Sequence, residues 1–168
     1  MTVFVTADTH FSHAGICKFL NADGSKLRPW DDPNVMDEEM VKRWNEVVKP
    51  TDKVYHLGDV VINRKALVIL NRLNGNKVLI RGNHDIFKLK DYIPYFRDIR
   101  GYHVLDRMIF SHIPIHPDSK GKFVANVHGH LHSRKLEDTW YQCVCVEHTD
   151  YRPIELGELQ KRVNGAKV

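Results

Sequence analysis

Five apolar runs in this chain break off abruptly, each at or just before residues that can coordinate, donate or titrate. The clearest is Val78-Leu79-Ile80, which gives way to Arg81-Gly82-Asn83-His84-Asp85. Three consecutive aliphatic residues predict a fully buried strand. A buried parallel strand delivers its C-terminal end to a crevice where ligands bind. Gly82 is expected to let the backbone turn sharply there, aiming Asn83 and His84 at different targets.

Upstream, Val3-Phe4-Val5-Thr6-Ala7 reads as a first strand running into Asp8-Thr9-His10, and period-two geometry puts Asp8 and His10 on one side. Residues 11–32 carry Gly15, Asn21, Gly24, Ser25 and Pro29. They are predicted to form a loop over the strand end, with one helical turn around Gly15 to Leu20. Met36, Met40, Val41, Trp44, Val47 and Val48 form a helical stripe with acidic residues in the first turn, and Pro50 stops it. Val54-Tyr55-His56-Leu57-Gly58-Asp59 repeats the order strand, glycine, carboxylate. Asn63 is placed to cap a helix that packs Ala66, Leu67, Leu70 and Leu73 inward and ends at Asn74-Gly75-Asn76. Strand, helix, strand, helix, strand with polar residues at every strand C-terminus is the arithmetic of βαβ units.

The second half has a different texture. A short helix over Asp91 to Phe96, broken by Pro94, precedes strand candidates at 102–105, 108–111, 124–127 and 141–146. Their connections read as mostly short, which suggests antiparallel pairing. One of these strands runs into His112 and another into His128-Gly129-His130-Leu131-His132, and residues 154–163 read as a closing helix. No repeat or linker interrupts the chain, so a single domain over residues 1–168 is expected.

Composition narrows the class. With 42% apolar and 27% charged residues, disordered and collagen-like chains are excluded, and no apolar run is long enough to span a bilayer. The first residues read as a strand rather than a signal peptide. Cys17, Cys143 and Cys145 are odd in number, and the last two lie on a predicted strand, facing the same way and poorly placed to bridge. A reducing, cytoplasmic setting follows. A formal charge of +4 permits a polyanionic partner without arguing for one, since no dense Lys/Arg patch with interleaved aromatics accompanies it. The 11 histidines exceed what a core would use.

Asp8-x-His10, Gly58-Asp59, Gly82-Asn83-His84-Asp85, His112 and Gly129-His130-x-His132, in this order, resemble the motifs of the calcineurin-like metallophosphoesterases. The likeness extends from Asp8 to His132. The opening Asp8-Thr9-His10-Phe11-Ser12-His13 is similar to that of small single-domain bacterial and phage members. The resemblance implies an α/β fold, a βαβ-type sandwich of two mixed β-sheets flanked by helices. It implies that Asp8, His10, Asp59 and His132 bind one divalent ion and that Asp59, Asn83, His112 and His130 bind another, with Asp59 bridging. Mn²⁺ is the expected metal, with Fe²⁺, Ni²⁺ and Zn²⁺ as alternatives. Mixed oxygen and imidazole donors without thiolate favour such ions over a structural zinc cage. Two dications against two carboxylates leave about +2, which attracts a phosphate.

By the same resemblance the chain hydrolyses a small phosphodiester or phosphomonoester, such as a nucleotide, by direct attack of a metal-bridging hydroxide. His84 serves the leaving group and Asp85 fixes its tautomer. Arg81 and His13 are the substrate-facing candidates. Two other readings stand beside this one, a nuclease on longer nucleic acid and a non-enzymatic metal-binding scaffold of the same fold. The His84-Asp85 pair speaks against the scaffold. A protein Ser/Thr phosphatase is disfavoured, because such relatives follow Gly-Asp with a Val-Asp-Arg-Gly type run and this chain reads Val60-Val61-Ile62-Asn63-Arg64. His128 is expected either to support the ligands or to be a plain strand residue. His56, His103, His116 and His148 are expected to be structural or at the surface, and Arg28-Pro29-Trp30 to be a loop pinned by its aromatic.

Overall fold

Alternating side chains along the first strands supply two hydrophobic layers, one on each face of a sheet. The computed structural model describes residues 1–165. In it β1 (Val3–Thr6), β2 (Lys53–His56) and β3 (Asn76–Ile80) run parallel. β4 (Asp98–Arg100) extends the sheet beside β3, and β9 (Ile154–Glu155) closes the other edge antiparallel to β1. Phe4, Val54 and Leu79 face outward onto Met36, Met40 and Trp44 of α1 (Pro33–Val47) and onto Leu67 and Leu70. Val5, Tyr55, Val78 and Ile80 face the second sheet, whose Met108, Phe110, Ala125 and Val127 complete the inner core. That sheet has the order β5 (His103–Leu105), β6 (Met108–Ser111), β7 (Ala125–His128), β8 (Tyr141–Cys143). α2 (Leu89–Tyr92) is one turn, and α3 (Leu156–Gly165) docks Leu159 and Val163 into the inner core. The architecture is the expected one, two mixed sheets flanked by helices.

Several local expectations hold with adjustments. α1 starts earlier than its stripe suggested, at Pro33, so Asp37, Glu38 and Glu39 lie beyond its first turn, and Asp32 caps it by accepting from Asn34 N at 2.8 Å. Asn63 caps the next helix through Lys65 N at 3.0 Å, but that helix, Arg64–Arg72, is 3₁₀ rather than α. Leu67, Leu70 and Leu73, all buried, recur every third residue, the period of a 3₁₀ face. β4 escaped the sequence reading because Asp98-Ile99-Arg100 has no apolar run, and only pairing with β3 makes it a strand.

The second sheet departs from the antiparallel expectation. Only β5 and β6 pair that way, whereas β6, β7 and β8 are parallel. The connections 112–124 and 129–140 are each about a dozen residues, enough for a parallel crossover. The predicted strand 141–146 is also two pieces: Cys143 pairs with His128 in the second sheet, and Cys145 bridges to Ala7 at the end of β1. Among the described residues no helix is long and apolar enough to cross a membrane.

His56 illustrates how the core tolerates a polar strand residue. It is fully buried and stacks on Trp44 with centroids 6.4 Å apart. Gly58 N donates to its Nδ1 at 3.2 Å, and its Nε2 meets Thr9 Oγ1 at 2.9 Å. Burial pushes its pKa down to about 3. Between that value and the unfolded pKa of about 6.5 the unfolded chain binds more protons, so stability rises with pH across this window and is lost on acidification through it. His10, His13 and His130 are shifted in the same direction. The urea midpoint is therefore expected to fall as the pH drops from about 6.5 to about 4.5, and His56→Asn to show a shallower fall. An unchanged slope in that variant would remove His56 from the account.

Candidate metal centre

The C-terminal ends of β1, β2, β3, β6 and β7 open onto one place, and the loops that follow them carry every proposed ligand. Asp8, His10 and His132 each offer one atom to a cluster whose members all lie within 4.8 Å of one another, and so do Asp59, His112 and His130. Asp59 lies between the two. Its Oδ2 is 3.7 Å from His10 Nε2 and 3.4 Å from His112 Nε2. Asn83 Oδ1 completes the second group at 2.8 Å from His112 Nε2 and 2.9 Å from His130 Nδ1.

Backbone strain accompanies this convergence. Asp8, His10, Asp59, His130 and His132 adopt left-handed conformations, with φ of 58°, 47°, 57°, 69° and 50°. Such residues cost about 1–3 kcal/mol each and persist only where the surroundings over-determine them. Two glycines make the crowding feasible. A Cβ on Gly82 would lie 2.2 Å from Asp59 Oδ1, and one on Gly129 would lie 2.3 Å from Asp8 Oδ2. The chain does turn after Gly82, with Asp85 N donating to Gly82 O at 3.3 Å, but the need for glycine there comes from close approach between the β2 and β3 loops.

The donor set fits divalent cations. Asp8 Oδ1 and both ring nitrogens of His10 are buried without a hydrogen-bond partner. His112 Nδ1 donates to Leu57 O at 2.8 Å, leaving Nε2 to face the centre with its lone pair. His132 Nδ1 lies 3.2 Å from Glu147 Oε1, which sets that ring in the same manner. Burial would raise the carboxyl pKa of Asp8, yet the surrounding imidazoles of His10, His112 and His132 hold it well below the usual range. Asp59 is also lowered, because the His112 contact outweighs its burial. Both carboxylates are therefore charged.

The remaining candidates divide. His84 donates its backbone N–H to Asp59 Oδ1 at 2.8 Å, while its exposed ring stands 5.6 Å from that of His10. His13 sits beside His10, ring centroids 5.6 Å apart, and burial together with the His10 charge pushes its pKa down to about 4. Asp85 does not orient His84. Its buried carboxylate accepts from Asp59 N and Gly82 N, both at 2.8 Å, and from Val60 N at 3.1 Å, so it ties the β2 loop to the β3 loop. Arg81 likewise turns away from the centre, donating to the carbonyls of Asp85 and Phe87. Backbone groups of this tight turn need partners, and these two side chains are the nearest supply.

Glu147 was not singled out from sequence, and Arg28 and Cys145 were read only as part of a loop and of a strand, with no role at the centre. Arg28 is fully buried and donates to Asp8 O at 2.6 Å, Thr9 O at 2.7 Å and Glu147 Oε1 at 2.9 Å. The guanidinium pins the loop across the end of β1, and Trp30 holds it as expected, packing edge-on to Tyr151 with centroids 4.5 Å apart. Cys145 Sγ lies 3.2 Å from Asp8 Oδ2. Nothing in a lone Arg within a polar loop, or a Glu beyond the last motif, signals such placement. His128 is buried in β7 with its Nδ1 2.8 Å from Gly129 O, supporting the Gly129 turn rather than touching a ligand side chain.

The family model for calcineurin-like phosphoesterases matches residues 1–160. This chain belongs to that family. An uncharacterised protein of Methanocaldococcus jannaschii is 32% identical to this phosphoesterase over 183 aligned residues, covering 99% of this chain and 93% of the relative. The crystal structure of a protein of unknown function from Aquifex aeolicus superposes with a TM-score of 0.69 at 25% identity, covering 95% of this chain and 98% of that one. An archaeal phosphodiesterase overlaps more loosely, with a TM-score of 0.47 and 16% identity over 86% of this chain and 82% of its own.

Proposed function

We propose that this phosphoesterase hydrolyses a small phosphodiester or phosphomonoester, such as a nucleotide, with two divalent cations, Mn²⁺ foremost. Asp8, His10, Asp59 and His132 would hold one and Asp59, Asn83, His112 and His130 the other. The observation that supports this is the pair of His/carboxylate clusters sharing Asp59 at the strand ends. Two such cations would supply charge neutralisation for the phosphate and a water acidified toward neutral pH. Asn83 adds an oxygen donor without a further negative charge. His84, exposed and anchored through its backbone to Asp59, would hydrogen-bond or protonate the departing oxygen. His13 borders the same mouth.

The free thiols Cys17, Cys143 and Cys145 agree with a cytoplasmic setting. Mn²⁺-supplemented protein is expected to turn over bis-p-nitrophenyl phosphate or p-nitrophenyl phosphate, and His84→Ala to lower kcat by about 10²–10⁴-fold with bound metal unchanged. Absence of turnover with any divalent ion, or full activity in His84→Ala, would overturn the assignment.

A further inference from the structure

Cys143 and Cys145 belong to different sheets although one residue separates them. β8 ends at Cys143, and Cys145 bridges to the end of β1. The change of sheet at the buried Val144 turns their side chains together, and the two free sulfurs sit 3.4 Å apart. On a single continuous strand, as the sequence suggested, the two side chains would stand side by side, poorly placed to bridge. Here a disulfide of about 2.05 Å needs the sulfurs to approach by only about 1.4 Å.

The two thiols differ in access. Cys143 is half-buried and lines a cleft of about 510 Å³ together with Lys135, His148 and Arg162. Cys145 is fully buried behind it, and its Sγ is directed at Asp8 Oδ2. A small oxidant entering the cleft meets Cys143 first, beside cationic side chains that favour a thiolate, with a second thiol already in contact.

We propose that Cys143 and Cys145 form a hydroperoxide-sensitive thiol pair coupled to the metal centre through Asp8. The Cys143 thiolate attacks the peroxide oxygen, the O–O bond breaks, and the peroxide leaves as an alcohol, or as water from hydrogen peroxide. The resulting sulfenic acid is attacked by the Cys145 sulfur. An S–S bond forms, the S–O bond breaks and water departs, so the two thiols lose two electrons and the peroxide gains them. The bridge also takes away the thiol proton that Cys145 directs at Asp8. That last coupling depends on the metal reading above, whereas the thiol chemistry does not.

Reduced full-length protein is treated with hydrogen peroxide, denatured, alkylated and analysed by peptide mass. The expected product carries Cys143 and Cys145 in one peptide, two hydrogens lighter, blocked to alkylation and restored by dithiothreitol. Cys17, packed in the core against Met36, is expected to stay reduced. Cys145→Ser is expected to stop at a Cys143 sulfenic acid that dimedone traps, and Cys143→Ser to leave Cys145 reduced. Over-oxidation of Cys143 with Cys145 still alkylatable, a bridge between two molecules, or no oxidation of either thiol would overturn the pair. Mn²⁺ titration of the reduced and bridged forms reads the coupling, with an expected loss of about tenfold in affinity on bridging. Equal affinities would overturn the coupling to Asp8, while failure of the reduced protein to bind Mn²⁺ would count against the metal reading itself.

Discussion

Arg28→Met is expected to lower the unfolding free energy by about 3–5 kcal/mol, the cost of leaving a buried charge without its partner. The guanidinium lies wholly inside the protein and spans three acceptors, two of them backbone carbonyls of the β1 loop. The third is Glu147, a buried carboxylate whose pKa burial would raise and which Arg28 and His132 instead hold below the usual range. Without Arg28 the carboxylate keeps only His132, and the carbonyls of Asp8 and Thr9 lose their donor. Methionine can settle against Met36 and Met40, so the loss reports polar groups rather than a void. Arg28→Lys is expected to recover only part of it, since one ammonium cannot span the fork. Urea unfolding with an unchanged m value checks this. A loss below about 1 kcal/mol would place the pair with surface salt bridges instead.

Asp59→Asn is expected to lower divalent-ion affinity by more than about 100-fold, beyond the 10–100-fold typical of residues that merely orient a ligand. Turnover falls with it. The Asp59 carboxylate faces His10 on one side and His112 on the other, so a neutral amide weakens both clusters at once. The fold is expected to tolerate the change, because the amide oxygen can still accept from His84 N and Asp85 still holds the neighbouring backbone. Calorimetric Mn²⁺ titration and a thermal melt separate the two effects. Retention of both metal and turnover in this variant would remove the shared carboxylate from the proposal.

The motif residues were legible before the fold because each sits where a short apolar run stops, and period-two patterning marks strand ends without knowledge of tertiary contacts. Helical spacing likewise identified Met36, Met40 and Trp44 as core, and residue type placed Asn63 as a cap. Roles that depend on backbone partners were not legible. Asp85 beside His84 in sequence suggested a side-chain pair, but its carboxylate is consumed by three amides. Arg81 beside a glycine suggested a phosphate contact, but it braces its own turn. Strand direction in the second sheet was also hidden, since a crossover and a long hairpin loop have similar composition.

By itself the amino-acid sequence determined which residues could gather around cations and the family to which the chain belongs, because donor chemistry and motif order are local properties. Only the tertiary structure decided that Arg28 and Glu147 brace those groups, that Asp85 ties the two loops together, and that the chain changes sheets between Cys143 and Cys145. Those relations join residues far apart in the chain, or turn on which of two sheets a residue enters. They are set by packing, which spacing along the chain does not record.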